Sequence, residues 1–297
     1  MIGWGDVYKV VSAMAPLYFA LGLGYASVQW WKFFTRDQCD AVNRLVIYFA
    51  LPFFAFDFNA HAGTFAAGYR VLAADAVAKL VVVLALAGWI AYCRWRHWIR
   101  APKAPPASSA SAWPGGPSWS WCITGYSLGT LNNGLFVGVP LLDAMYGKWA
   151  RDIVVQLSVL QAVVWLPLLL VVFEARQAWL EVTSAPAPDG GAREEGGLFI
   201  GLQDKLVVCR PGLTALGMAM RFVAARAATA VGALLLGLRG DLLRVAILQA
   251  ALPQSVGAFI FALEYDLHAD VLSTVVIVGT LASLPVIITY YIVLGLL

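Results

Sequence analysis

Two apolar stretches in this chain are long enough to cross a membrane, and each is interrupted near its middle by polar or helix-breaking residues. The first runs from Trp119 to Leu142 and contains Leu131-Asn132-Asn133-Gly134. The second runs from Leu242 to Leu263 and contains Leu252-Pro253-Gln254-Ser255. An unsatisfied backbone group in hydrocarbon costs several kcal/mol, so a broken helix survives at membrane depth only where it is buried in protein or lines a cavity. One such break in each half of a chain is the sequence pattern of a transporter binding site near the bilayer midplane.

The rest of the chain agrees with a membrane setting. Of its 297 residues 61% are hydrophobic and 12% charged, and the mean hydropathy is +0.77. The predicted class is all-α and polytopic. Candidate spans are Val10–Trp30, Leu45–Phe58, Val71–Tyr92, Trp119–Leu142, Ile153–Phe173, Thr214–Leu238, Leu242–Leu263 and Val271–Leu297. Most reach the roughly 20 residues needed to cross about 30 Å of hydrocarbon. The first starts with Asp6 and Lys9, lacks a small-residue cleavage pattern and ends on Trp30-Trp31-Lys32, an interface anchor, so it reads as a span rather than a signal peptide. Lys32, Arg36 and Arg44 follow span one, and Arg94, Arg96, Arg100 and Lys103 follow span three. The positive-inside rule therefore predicts a non-cytosolic N-terminus. Ala101 to Pro117 reads as a flexible loop, and Glu174 to Lys205, with Pro186, Pro188 and Gly190-Gly191, holds a cytosolic linker.

Chemistry-bearing residues are few. Asn132 and Asn133 offer amide donors beside a half-helix N-terminus, which favours an anion; the alternative is interhelical hydrogen-bond glue. Pro253 and Gln254 repeat the pattern in the second break. Gln161 supplies either a polar cavity wall or one interhelical bond. Asp75 and Lys79 lie four apart on one helix face, as a functional intramembrane pair or a structural pair near the outer face with Lys79 snorkelling. Arg221 and Arg226 fall inside span six and read as anchors at its cytosolic end. Cys39, Cys93, Cys122 and Cys209 form no CxxC pair, and His61, His97 and His268 share no ligand spacing, so no metal site and no cofactor are expected. No basic patch points to nucleic acid. No hydrolase, protease or phosphate-loop signature appears, so the chain is not expected to be an enzyme.

Longer strings then point to a family. Asp6-Val7-Tyr8, Pro16-Leu17-Tyr18, Ser27-Val28-Gln29-Trp30-Trp31-Lys32, Gly138-Val139-Pro140-Leu141-Leu142, Leu238-Arg239-Gly240-Asp241-Leu242-Leu243 and Gln249-Ala250-Ala251-Leu252-Pro253-Gln254 resemble the plant PIN-FORMED auxin efflux carriers. The resemblance covers nearly all of the chain outside the two hydrophilic loops. It implies an inverted-repeat secondary transporter like the sodium/proton antiporters, with ten helices in two five-helix repeats and broken fourth and ninth helices that cross. It further implies a homodimer in the lipid bilayer and the auxin indole-3-acetate as substrate. By that resemblance Asn133 corresponds to the crossover asparagine, Pro253 to the crossover proline, and Asp75 with Lys79 to an intramembrane support pair.

This chain departs from the family's pattern in several places. Asn132 stands where the family has proline, Ala55 where a serine is frequent, and Arg226 where the eighth helix has proline. Gly197-Leu198-Phe199-Ile200-Gly201-Leu202-Gln203 resembles only the tail of the seventh helix. The sixth and most of the seventh helix are missing, about 60 residues, some 40 of them for two spans. About eight helices remain. Residues 1–177 read as the N-terminal five-helix repeat, 178–205 as the linker and 206–297 as an incomplete repeat of three helices. The short linker resembles that of family members placed in the endoplasmic reticulum. The competing expectation is a membrane partner of intact carriers that does not itself transport, or a truncated gene model.

Overall fold

The computed structural model describes residues 4–50, 52–53, 56–57, 60, 68–100, 117–183 and 211–296, and among these the fold is helical throughout. Helix α1 (Trp4–Gln29) precedes the short α2 (Arg36–Leu45), which runs into a π-turn at Val46–Ala50. The long α3 (Tyr69–Arg100) is followed by α4 (Pro117–Thr130) and, across a break, by a π-turn at Gly134–Gly138 leading into α5 (Val139–Tyr146). Helices α6 (Lys148–Leu160) and α7 (Leu166–Thr183) join through a π-turn at Gln161–Trp165. Helices α8 (Pro211–Ala219) and α9 (Ala225–Leu235) join through another at Met220–Ala224. Then come α10 (Asp241–Ala250), α11 (Val256–Glu264) and α12 (Ala269–Leu296).

Five of the expected spans are unbroken apolar helices: Tyr8–Gln29, Tyr69–Cys93, Lys148–Val182, Gly212–Leu235 and Ala269–Gly295. The two interrupted stretches are pairs of half-helices, α4 with α5 and α10 with α11. Much of the second expected span, with Ala55, lies outside the described residues, as do His61, Cys209, the string Gly197–Gln203 and most of the linker. Large apolar side chains are exposed along the outside, among them Phe19, Leu84, Val163, Val171 and Leu235. On a water-soluble protein such a surface would aggregate; against acyl chains it is the expected boundary.

The core divides into two clusters, and the half-helices exchange partners between them. One packs α5 with α10: Leu141, Leu142, Val245 and Leu248 sit with Val10 and Met14 of α1 and Val154 of α6. The other packs α4 with α11: Ile123, Tyr126 and Leu128 sit with Ala258 and Phe259, against Leu169 of α7 and Val275 of α12. The first half of each broken helix thus shares a core with the second half of the other, and the breaks meet between the clusters. Among the described residues the most extensive helix contact is α3 on α9. It depends on Gly232, where a Cβ would lie 2.8 Å from the Ala74 carbonyl oxygen and 3.1 Å from the Ala78 nitrogen. Small residues that allow such backbone approach replace the hydrophobic driving force that membrane helices lack.

Candidate functional site

At the break in the first stretch, Leu131 to Asn133 leave the helix; at the second, Ala251 to Ser255 do the same. The freed backbone groups satisfy one another. Asn132 and Gln254 form an antiparallel bridge. The Asn133 N–H donates to the Pro253 carbonyl (2.9 Å), and the Ser255 N–H donates to the Leu131 carbonyl (3.3 Å). Proline has no N–H to strand in this arrangement, while its carbonyl accepts one.

Side chains complete the seam. Gln161 pairs with the Asn132 backbone at both atoms: its Oε1 accepts from the N–H (3.1 Å), and its Nε2 donates to the carbonyl (2.8 Å). The Asn132 amide donates to the Gln249 carbonyl (3.0 Å). Gln254 turns toward α4 and donates to the Ser127 carbonyl (3.1 Å). Successive residues of an extended segment point to opposite sides. While Asn132 faces the polar seam, Asn133 lines a cavity of about 890 Å³ together with Leu17, Tyr18, Phe34, Phe136 and Thr280. That volume lies within the range of small-molecule sites, which are mostly apolar with a few placed polar groups. Tyr18 on α1 donates to the Thr280 carbonyl of α12 (3.0 Å), tying the cavity's walls.

The structure therefore gathers Asn132, Asn133, Gln161, Pro253 and Gln254 at one crossing, with Asn133 the member that faces the cavity. Asp75 and Lys79 lie beside it. They form an ion pair of 2.8 Å and, with Thr130, Asn132 and Arg221, line a second cavity of about 10 Å³. That space holds at most one water. Lys79 does not snorkel: it is 5% exposed, with its ammonium 5.3 Å from the centre of the Trp165 ring. Cys93 and Cys122 are free thiols. Among the described residues no group of three or more His, Cys, Asp or Glu could hold a metal ion.

Two residues read from the sequence as cytosolic-end anchors lie elsewhere. Arg221 is 1% exposed, beneath the crossing. Its Nε donates to the Leu252 carbonyl (2.8 Å), its Nη1 to those of Leu128 (3.2 Å) and Leu131 (3.3 Å), and its Nη2 to that of Ala250 (3.2 Å). Arg226 donates to the Ala251 carbonyl (3.2 Å) and lies 3.9 Å from the Tyr290 ring centre. The signal that could have found them is their position: two arginines inside an apolar span face protein or water, not lipid. Gln161, Arg221 and Gly134 all fall in π-turns, an irregularity that re-aims side chains and is frequent at functional sites.

Crossed half-helices with a cavity at the crossing define a membrane carrier. The sequence comparisons agree: residues 9–97 and 196–291 match the family described as membrane transport protein, and the chain belongs to that family. It is 51% identical to a probable auxin efflux carrier component 5b of Oryza sativa subsp. japonica, over 99% of both chains. It is 47% identical to a probable component 5c of the same organism, over 99% of this chain and 100% of the relative. It is 43% identical to auxin efflux carrier component 5 of Arabidopsis thaliana, over 98% of each. The alignment to the first relative runs over 373 positions, which exceeds the 297 residues here by 76, so at least 76 positions of that relative face no residue of this chain.

Proposed function

We propose that this chain is an auxin efflux carrier component that moves the indole-3-acetate anion by alternating access, with Asn133 at the binding site. The observation that carries the reading is the position of Asn133, between a large apolar cavity and the N-termini of two segments that begin at Gly134 and Val256. Each N-terminus presents unpaired N–H groups and a positive dipole end, to which a carboxylate is attracted. The apolar walls suit an indole ring. The relatives support the substrate, because they are named as auxin efflux carrier components.

In this reading α3–α7 and α8–α12 move together against α1, α2 and whatever else frames them. Residues 1–177 are one repeat, 178–205 a short cytosolic linker and 206–297 a shortened second repeat. Asp75 and Lys79 support the crossing from behind, Asn132, Gln161, Pro253 and Gln254 hold its shape, and the work is transport rather than catalysis. The endoplasmic reticulum membrane follows from the short-linker resemblance, and a homodimer from the family resemblance. Uptake of labelled indole-3-acetate into liposomes holding the purified protein tests the proposal.

The alignment positions without a counterpart here favour a second reading, in which the chain lacks scaffold and acts only beside intact carriers, or in which the gene model is truncated. Sequencing the transcript separates these. Recovery of a stretch that includes roughly 40 residues for two spans restores the carrier reading. A confirmed deletion with no uptake supports the partner.

A further inference from the structure

Helices α4 and α10 both end at the crossing, so two C-termini converge there. Each leaves carbonyls without helical partners and carries a partial charge of about −0.5 at its end. Helix α4 contains no charged residue, and the acid and base of α10, Asp241 and Arg244, lie in its first turn. The compensating charge comes from outside both helices. Arg221 reaches in from the π-turn between α8 and α9 and takes two carbonyls from the end of each: Leu128 and Leu131 on one side, Ala250 and Leu252 on the other. Among the described residues it forms no ion pair with a carboxylate. Burying an unpaired guanidinium costs several kcal/mol unless something negative meets it. Here the two helix ends, together about one elementary charge, fill that role, with the Asp75 carboxylate, ion-paired to Lys79 and lining the same small cavity, as a further negative neighbour.

We propose that Arg221 is a positioning residue that acts as the crossing's built-in cation. It offsets both negative helix ends, while Arg226 adds a bond to the Ala251 carbonyl at the second of them. The positive N-termini beyond the break then dominate the potential on the Asn133 side, and this gives the carrier its preference for an anion. The planar fork matters as well as the charge: one guanidinium spans four carbonyls of two helices and fixes their register, which a point-charge ammonium does less well. The inference builds on the reading of Asn133 as an anion site, but part of its test does not need that reading.

The test uses the full chain with Arg221→Ala and Arg221→Lys. Thermal unfolding is followed with added guanidinium at millimolar concentration and, as control, equal sodium. Uptake is followed by the ratio of inhibition by indole-3-acetate to inhibition by the uncharged indole-3-acetamide. The parent is expected to ignore guanidinium. In Arg221→Ala the midpoint falls and guanidinium, but not sodium, raises it. The anion-over-amide preference falls about tenfold, equivalent to about 1.4 kcal/mol, and guanidinium restores it. Arg221→Lys keeps the preference within about threefold at a lowered midpoint. An Arg221→Ala protein whose midpoint ignores guanidinium, or whose preference equals the parent's, overturns the proposal. Should the alanine variant not fold, loss of preference in a folded Arg221→Lys overturns it and retention supports it. If the parent itself carries no indole-3-acetate, the anion reading fails and the guanidinium effect on the midpoint still decides the role of Arg221.

Discussion

Replacing Gln161 by leucine isolates the seam that holds the crossing. Leucine matches the bulk of glutamine but offers no hydrogen bond. The substitution removes two bonds at once, Asn132 N–H to Oε1 (3.1 Å) and Nε2 to Asn132 carbonyl (2.8 Å). Both orphaned groups are backbone atoms of Asn132, a residue 6% exposed. Each buried polar group left unpaired costs about 1–3 kcal/mol, so the crossing should lose about 2–6 kcal/mol. An ordinary interhelical side-chain bond in a membrane protein is worth about 0.6 kcal/mol. The gap between these figures separates a seam residue from generic glue. The assay is thermal or denaturant unfolding in detergent, with indole-3-acetate uptake in parallel. Expected is a loss of stability of at least about 2 kcal/mol with uptake reduced. A loss near 0.6 kcal/mol with unchanged uptake refutes the argument, because Asn132 would then have found other partners.

Other positions give independent outcomes. At Gly134 a Cβ would fall well inside contact distance of Ser158 Oγ and lie 3.1 Å from Asn132 Oδ1, so Gly134→Ala should cost about 1–3 kcal/mol, and Ser158→Gly in the same chain should recover part of it in unfolding measurements. Gly232→Val presses branched bulk onto the α3 backbone and should abolish recovery of folded protein by size exclusion, whereas Gly257→Ala, with only Ser255 Oγ nearby at 3.7 Å, should not. His268 stacks on Trp121 at 4.0 Å between ring centres. Burial there, with Arg176 as a second cause and Asp266 opposing, lowers its pKa below the usual 6.5. A histidine depressed in the folded state contributes stability that is present above the unfolded value and lost as pH falls through it. The unfolding midpoint should therefore drop between about pH 7 and pH 5, and His268→Phe should flatten that drop.

The breaks were legible because they offend the medium: asparagine pairs and proline-glutamine steps inside apolar runs have no cheap explanation in hydrocarbon. The same reasoning pointed to Asn133 and to the i, i+4 spacing of Asp75 and Lys79. It did not separate Asn133 from Asn132, because which neighbour faces the cavity depends on the extended local backbone at the break. Gln161 reads from the sequence as a cavity wall or one interhelical bond, since its two hydrogen bonds to one backbone unit require α6 to stop beside the break. Arg221 was misplaced for a related reason. Charge near a span end reads as an anchor, and nothing local reveals that a π-turn aims this side chain inward at two helix ends, Thr130 and Ala250, that lie far apart in the chain. Long-range pairing is what the pattern of a single span does not contain.

The central claim is that an anion is carried at the crossing with Asn133 in contact. It is tested most directly by uptake of labelled indole-3-acetate into liposomes holding the parent or Asn133→Ala, with the unfolding midpoint of each recorded. Loss of a hydrogen bond to a charged group is worth about 1.5–3 kcal/mol. Expected are parent uptake well above protein-free liposomes, at least a tenfold loss of apparent affinity in Asn133→Ala (about 1.4 kcal/mol per tenfold), and an unchanged midpoint. Parent uptake equal to that of empty liposomes, or a folded Asn133→Ala that transports as well as the parent, contradicts the account.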